Sequence, residues 1–192
     1  MKILFLGSLK KSQKKIIKFL RKSGEKVIQK SSKLNINDKY LKNSEFIISY
    51  GYQHIINNKI LKKFKNNTIN LHISYLPWNR GTFPNLWSFL ENTPSGVTIH
   101  IMDKGIDTGP IIFQKKVFHN KEGTLSTTYK NLEKNIENLF FKNWIKIKKQ
   151  KYKKIKQNLK DGTSHKKKDK KKFDYLLVNG WNTKIKNLIS KN

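Results

Sequence analysis

Met1-Lys2-Ile3-Leu4-Phe5-Leu6-Gly7 is an apolar run closed by a glycine, and Glu45-Phe46-Ile47-Ile48-Ser49-Tyr50-Gly51 repeats the pattern. Short, nearly continuous apolar runs of this kind read as strands buried on both faces. Between them, Ile16, Phe19 and Leu20 recur at helical spacing among lysines, so residues 12–22 predict an amphipathic helix stopped at Ser23-Gly24. Residues 26–29 follow as a short strand, 58–65 as a short helix and 68–74 as a further strand. Strands alternating with helices predict an α/β chain whose sheet is largely parallel and covered on both faces. In such folds ligands sit at the carboxyl ends of the strands. The loops after residues 50, 74 and 102 are therefore expected to meet there.

Further along, Pro84 suits the first turn of a helix over 84–91, with Leu86, Trp87, Phe89 and Leu90 facing inward. Val97 to Met102 and Ile111 to Val117 read as two more strands. Leu125, Tyr129, Leu132, Ile136, Phe140, Trp144 and Ile147 recur every three or four residues and predict one long helix over 125–149. Residues 1–150 thus form a core. Residues 151–192 form a lysine-rich C-terminal extension, with a turn at 161–165. Its Phe173, Leu176, Leu177, Trp181, Ile185 and Ile189 are expected to pack back on that core.

The chain has 192 residues and a formal net charge of +30, a balance that invites a nucleic-acid or anionic-membrane reading. The residue types argue otherwise. Arg21 and Arg80 are the sole arginines, there is no alanine, and asparagine and isoleucine are abundant. That pattern fits an A+T-rich coding sequence, with lysine filling solvated positions, and a basic face that attracts an anionic substrate is compatible with either origin. Nucleic-acid readers favour arginine forks, so the composition argues against nucleic acid as a partner. The absence of cysteine excludes disulfides, thiolate metal sites and a cysteine nucleophile. No metal is expected. No apolar stretch reaches the ~18 residues that a membrane span needs, and the amino-terminal run is too short for a secretory signal. A cytoplasmic location follows as the expectation.

Chemistry concentrates in two segments. In Asn70-Leu71-His72-Ile73-Ser74-Tyr75-Leu76-Pro77, Asn70 and His72 are two apart on a strand and project to the same side. In Met102-Asp103-Lys104-Gly105-Ile106-Asp107-Thr108-Gly109, two glycines let the loop turn tightly and bring Asp107 close. Together the three polar residues suit acyl transfer without a protein nucleophile. An amide and an imidazolium can hold an oxyanion, and a carboxylate can orient the imidazole and help collect a proton. Residue by residue, a capping, packing or turn role is the simpler account.

The string Asn-x-His-x-Ser-x-Leu-Pro-x-x-Arg-Gly, followed by Asp-x-Gly-x-Asp-Thr-Gly, resembles the formyltransferases that use 10-formyltetrahydrofolate. The resemblance covers residues 1–120 and is strongest over 45–117. It implies a Rossmann-like mixed, mostly parallel sheet with helices on both faces, and 10-formyltetrahydrofolate as co-substrate. It assigns Asn70, His72 and Asp107 as catalytic. On this resemblance the substrate amine attacks the formyl carbon, Asn70 and His72 hold the oxyanion, and Asp107 handles the proton.

A third segment, Ser49-Tyr50-Gly51-Tyr52-Gln53-His54-Ile55-Ile56, is similar to the folate-side loop of the formyltransferase acting on UDP-4-amino-4-deoxy-L-arabinose. That similarity implies that His54, Ile55, Ile56, Arg80, Asp103, Lys104, Gly105 and Ile106 bind the folate. It favours a nucleotide-linked amino sugar as the amine substrate. The family's tRNA enzymes carry a further C-terminal domain, for which residues 151–192 leave little room. Its purine enzymes carry a phosphate loop that Gly7-Ser8-Leu9-Lys10-Lys11-Ser12 does not reproduce. Glycinamide ribonucleotide and methionyl-tRNA formylation stay as alternatives, as does a non-catalytic binding protein on the same fold. Apolar residues on the C-terminal helices suit either a homodimer partner or the core. His100 carries no assigned role, and His119 and His165 are expected at the surface.

Overall fold

The computed structural model describes residues 1–189. In chain order the elements are β1 (Lys2–Leu6), α1 (Lys11–Lys22), β2 (Lys26–Lys30), α2 (Lys39–Lys42), β3 (Phe46–Ser49), α3 (Asn58–Lys63) and β4 (Thr68–His72). After them come β5 (Arg80–Gly81), α4 (Pro84–Leu90), β6 (Gly96–Ile101), β7 (Ile111–Lys116), α5 (Leu125–Lys148), β8 (Ser164–His165) and α6 (Lys186–Ile189). Six strands form one sheet in the order β2-β1-β3-β4-β6-β7. The pairings from β2 to β4 are parallel, while β4–β6 and β6–β7 are antiparallel. This is the mixed, mostly parallel sheet that the sequence predicts.

Strand alternation sorts the side chains to two faces. Ile3, Phe5, Phe46, Ile48, Ile69, Leu71, Val97 and Ile99 pack on one face against α1 and α5, through Ile16, Leu20, Ile136, Phe140 and Trp144. Leu4, Leu6 and Ile47 pack on the other, against Leu41 of α2 and Ile60 and Leu61 of α3. Helices therefore cover both faces. A third cluster joins α4 to the C-terminal segment through Trp87, Leu90, Ile185 and Leu188, with Phe173, Leu176 and Leu177 against it. Among the described residues no helix is long and apolar enough to cross a membrane.

Several local expectations are corrected. β6 runs antiparallel to β4, so the loop after Met102 starts beside the amino end of β4, where the Met102 N–H donates to the Thr68 carbonyl at 2.9 Å. An apolar run reads the same in either direction, so spacing alone could not give the strand's sense. The segment 161–165, expected as a turn, contains β8, which pairs in parallel with β5. His119 and His165, expected at the surface, are half-buried. The His165 ring stacks on Trp87 at 4.0 Å, and its Nε2 lies 3.2 Å from Glu91 Oε2. His119 Nε2 lies 2.9 Å from Ser95 Oγ, with its ring 5.6 Å from Phe89. Both imidazoles are covered by aromatics of α4, a helix far from them in sequence. Trp181 remains 45% exposed, with its ring 6.1 Å from Phe83.

Candidate active site

Because Ile69 and Leu71 face α1 and α5, Asn70 and His72 necessarily face the other side of β4. The antiparallel register sets His100 directly opposite Asn70 and Thr98 opposite His72. Directly opposed side chains on one face of a strand pair are neighbours. The four thus form a polar patch on a sheet face that is otherwise apolar.

The hairpin loop between β6 and β7 reaches this patch through Asp107. Its Oδ1 accepts from Asn70 Nδ2 at 3.0 Å and its Oδ2 from the Gly81 N–H at 2.9 Å. His100 Nε2 lies 3.3 Å from Oδ1, and His72 Nδ1 lies 3.6 Å from Oδ2. Asp107 adopts a left-handed backbone, φ +54°. The loop's two glycines serve another purpose. Neither has a positive φ, but a Cβ at Gly105 would lie 2.1 Å from Thr108 Oγ1, and one at Gly109 would lie 1.8 Å from the Ile101 carbonyl oxygen. The glycines permit close approach, and Asp107 itself carries the strained turn.

Burial opposes charge on Asp107, but the two imidazoles and the Gly81 N–H overcome it and hold the carboxyl well below the usual carboxylate range. Burial dominates at His72 and pushes it below the ordinary imidazole range, outweighing the attraction of Asp107. His72 Nε2 faces the Asn79 carbonyl at 3.3 Å. His100 Nδ1 donates to the Ile101 carbonyl at 3.0 Å, which leaves Nε2 to face Asn70 and Asp107. The arrangement can hold an unsolvated carboxylate beside an amide and two imidazoles, the donor and acceptor set that acyl transfer needs.

The proposed folate-side residues divide. Ile55 and Ile106 are 76% and 55% exposed, and His54 and Lys104 also face outward. The His54 ring meets Tyr52 edge-on at 5.2 Å. Ile56 is buried in the second core cluster, against which Met102 also packs, and it anchors the loop from beneath. Asp103 accepts from the Gly105 N–H at 3.0 Å and from Thr108 Oγ1 at 2.6 Å, closing the loop on itself. Arg80 is buried and donates from Nε to the Thr163 carbonyl at 3.3 Å and from Nη2 to the Leu159 carbonyl at 3.5 Å.

The C-terminal segment is thereby part of the site. The Thr163 hydroxyl accepts from the Asn79 N–H at 3.0 Å and donates to Asn79 Oδ1 at 3.1 Å. Sequence reasoning missed His100, Thr163 and Gln157. Alternation with Thr98 was the one available signal for His100. Among the described residues no group of three or more His, Asp or Glu side chains is arranged to hold a metal ion.

Stability should follow the buried histidines. Burial holds His72 and His119 below the ordinary imidazole value. In the unfolded chain they take up protons near pH ~6.5, whereas in the folded chain they do so only at lower pH. Across that interval the unfolded state binds more protons, so stability rises with pH. Glu133, raised by burial, pulls the other way only nearer the carboxylate range. The thermal midpoint is expected to climb by about 5 °C between pH 5.5 and 7.5. A flat or falling midpoint in a scanning calorimetry series would contradict the burial of these rings.

The family model described as formyl transferase matches residues 4–143. Methionyl-tRNA formyltransferase of Thermodesulfovibrio yellowstonii is 41% identical over 91 residues, covering 47% of this chain and 30% of the relative. Phosphoribosylglycinamide formyltransferase of Bacillus subtilis is 33% identical over 103 residues, covering 53% of this chain and 52% of the relative. The chain thus spans from about a third to about half of the length of these curated relatives. A solved structure, formyltransferase PseJ from Anoxybacillus kamchatkensis with UDP-4,6-dideoxy-4-formamido-L-AltNAc and tetrahydrofolate, is 49% identical. It superposes with a TM-score of 0.95 and covers 100% of this chain and 99% of its own.

Proposed function

We propose that this chain, which belongs to the formyl transferase family, moves a formyl group from 10-formyltetrahydrofolate to the 4-amine of a UDP-linked amino sugar. The observation that carries the reading is the likeness to PseJ. It runs the full length of the chain, including the segment that folds back on the Asn70–His72–Asp107 site, and that enzyme was solved with a UDP-linked 4-formamido sugar and tetrahydrofolate. The tRNA and purine relatives match less of this chain: 59% for a methionyl-tRNA formyltransferase and 73% for a solved phosphoribosylglycinamide formyltransferase.

In this reading the folate is a substrate that supplies the formyl group. The outward-facing Ile55 and Ile106 offer it apolar ground beside the site, a fit for a flat heteroaromatic ring. The amine lone pair forms the new C–N bond, and the formyl oxygen becomes an oxyanion. Asn70 Nδ2 and an N–H of His72 donate to that oxygen. Asp107, held anionic, draws the proton off the attacking amine through His72 or a water. That proton is available to the departing folate nitrogen as its C–N bond breaks.

The test is a panel of amines with the purified chain and 10-formyltetrahydrofolate: UDP-linked and dTDP-linked amino sugars, glycinamide ribonucleotide and methionyl-tRNA. Tetrahydrofolate release is followed for each. Turnover is expected with a UDP-linked 4-amino sugar at about 1–10³ s⁻¹. Turnover confined to methionyl-tRNA or to glycinamide ribonucleotide would overturn the substrate assignment.

A further inference from the structure

We propose that Gln157, in the segment after α5, is a positioning residue for Asp107, so that the lysine-rich C-terminal segment completes the active site. The inference deepens the formyl-transfer reading and rests on it.

The placement of Gln157 follows from a backbone pairing. Ile155 and Ile111 exchange N–H···O bonds of 2.9 Å in each direction, an antiparallel bridge. Continued by two residues, that register brings residue 157 opposite Gly109. Gln157 is buried there, and its Nε2 donates to the Asp107 carbonyl at 2.9 Å and to the Gly109 carbonyl at 2.7 Å.

Those bonds fall where the loop lacks support of its own. Asp103 ties down Gly105 and Thr108, and Gly109 is pressed against the Ile101 carbonyl. Between them Asp107 holds a left-handed backbone that a non-glycine residue keeps only under constraint. Its carbonyl is the group that Gln157 grips. Released from that bond, the Asp107 backbone can relax, and its carboxylate leaves the Gly81 N–H and the two imidazoles.

The geometry also argues against a purely stabilising role. Gln157 Oε1 is buried without a hydrogen-bond partner. An apolar side chain of the same length would avoid that cost but leave the Asp107 and Gly109 carbonyls without their donor. What the amide contributes is a pair of bonds to a strained loop.

Gln157→Met tests the inference in the full chain, since it keeps length and burial and removes both donors. With an amine that wild type turns over, kcat is expected to fall about 10–100-fold, in line with the sensitivity of transfer to ångström-scale misplacement. KM for both substrates should stay within about threefold, as for a group that acts on the chemical step. The acid limb of the pH–rate profile should move to higher pH, because a carboxylate freed from the Gly81 N–H and the imidazoles protonates more readily.

A second measurement does not depend on turnover. The Gly81 N–H donates to Asp107 Oδ2, and its hydrogen exchange should speed up in the variant by more than the fall in global stability from two unpaired carbonyls accounts for. Wild-type kcat, pH profile and Gly81 protection together would overturn the inference. So would an activity loss that merely tracks a loss of folded protein. If wild type formylates none of the amines offered, the formyl-transfer reading falls, and Gly81 exchange alone still decides whether Gln157 positions Asp107.

Discussion

Asp107→Asn is expected to lower kcat for formyl transfer by about a thousandfold, within the range that a positioned acid–base group contributes, while the chain stays folded. The substitution is chosen for its backbone. Asp107 sits at φ +54°, and asparagine tolerates the left-handed region as readily as aspartate does. The side chain keeps its shape and loses its charge. Oδ1 and Oδ2 accept from Asn70 Nδ2 and the Gly81 N–H respectively. An amide has one oxygen and can accept from only one of those sites, so a donor is left facing a donor. That mismatch should cost about 1–3 kcal/mol of stability, a small matter beside the lost proton acceptor. Single-turnover assays with saturating folate separate the chemical step from binding. A kcat within tenfold of wild type would remove Asp107 from the proposed mechanism.

Gly81→Ala is expected to cost about 3 kcal/mol of stability, combining left-handed strain with overpacking, and to take activity with it. Gly81 has φ +89°, and a Cβ there would lie 2.3 Å from the His165 carbonyl oxygen. That neighbour is backbone and cannot rotate away. β8 would have to separate from β5. Thr163, which holds both Asn79 and Arg80, would go with it. The Gly81 N–H would also lose its alignment on Asp107. Gly24→Ala is the natural control. Its φ is +82°, but a Cβ there meets nothing within 4 Å, so it carries backbone strain of about 1 kcal/mol and no clash. Urea midpoints for the two variants, read against kcat, check the argument. Equal effects at the two glycines would mean that the β5–β8 pairing does not constrain the site.

Much of the fold was legible in local pattern. The apolar runs at 2–7 and 45–51 became central strands, and the three-to-four spacing over 125–149 became α5. These signals are legible because a central strand or an amphipathic helix meets the same surroundings at every residue of its period. The sense of β6 was not, since direction depends on which neighbour the strand pairs with. Asn70 and His72 were legible as a pair because two residues apart on a strand is a local relation. His100 was not, because its value comes from standing opposite Asn70 across a strand pair. Gln157 and Thr163 carried no pattern at all. They sit in a lysine-rich stretch where periodicity is weak, and each matters through a hydrogen bond to a residue far away in sequence. His165 looked like a polar surface residue until Trp87 of α4 was seen stacked on it.

The sequence by itself determined the α/β class, the strand that carries Asn70 and His72 and the loop that carries Asp107, and the family resemblance. All of these rest on relations within a few residues or on the identity of a short string. Only the tertiary structure decided that Asp107 stands between two imidazoles, that its backbone is held in the left-handed region, and that the C-terminal segment packs onto the site. Those facts depend on cross-strand register and on a segment returning from the far end of the chain. Such contacts form between residues whose separation along the backbone leaves no trace in local spacing.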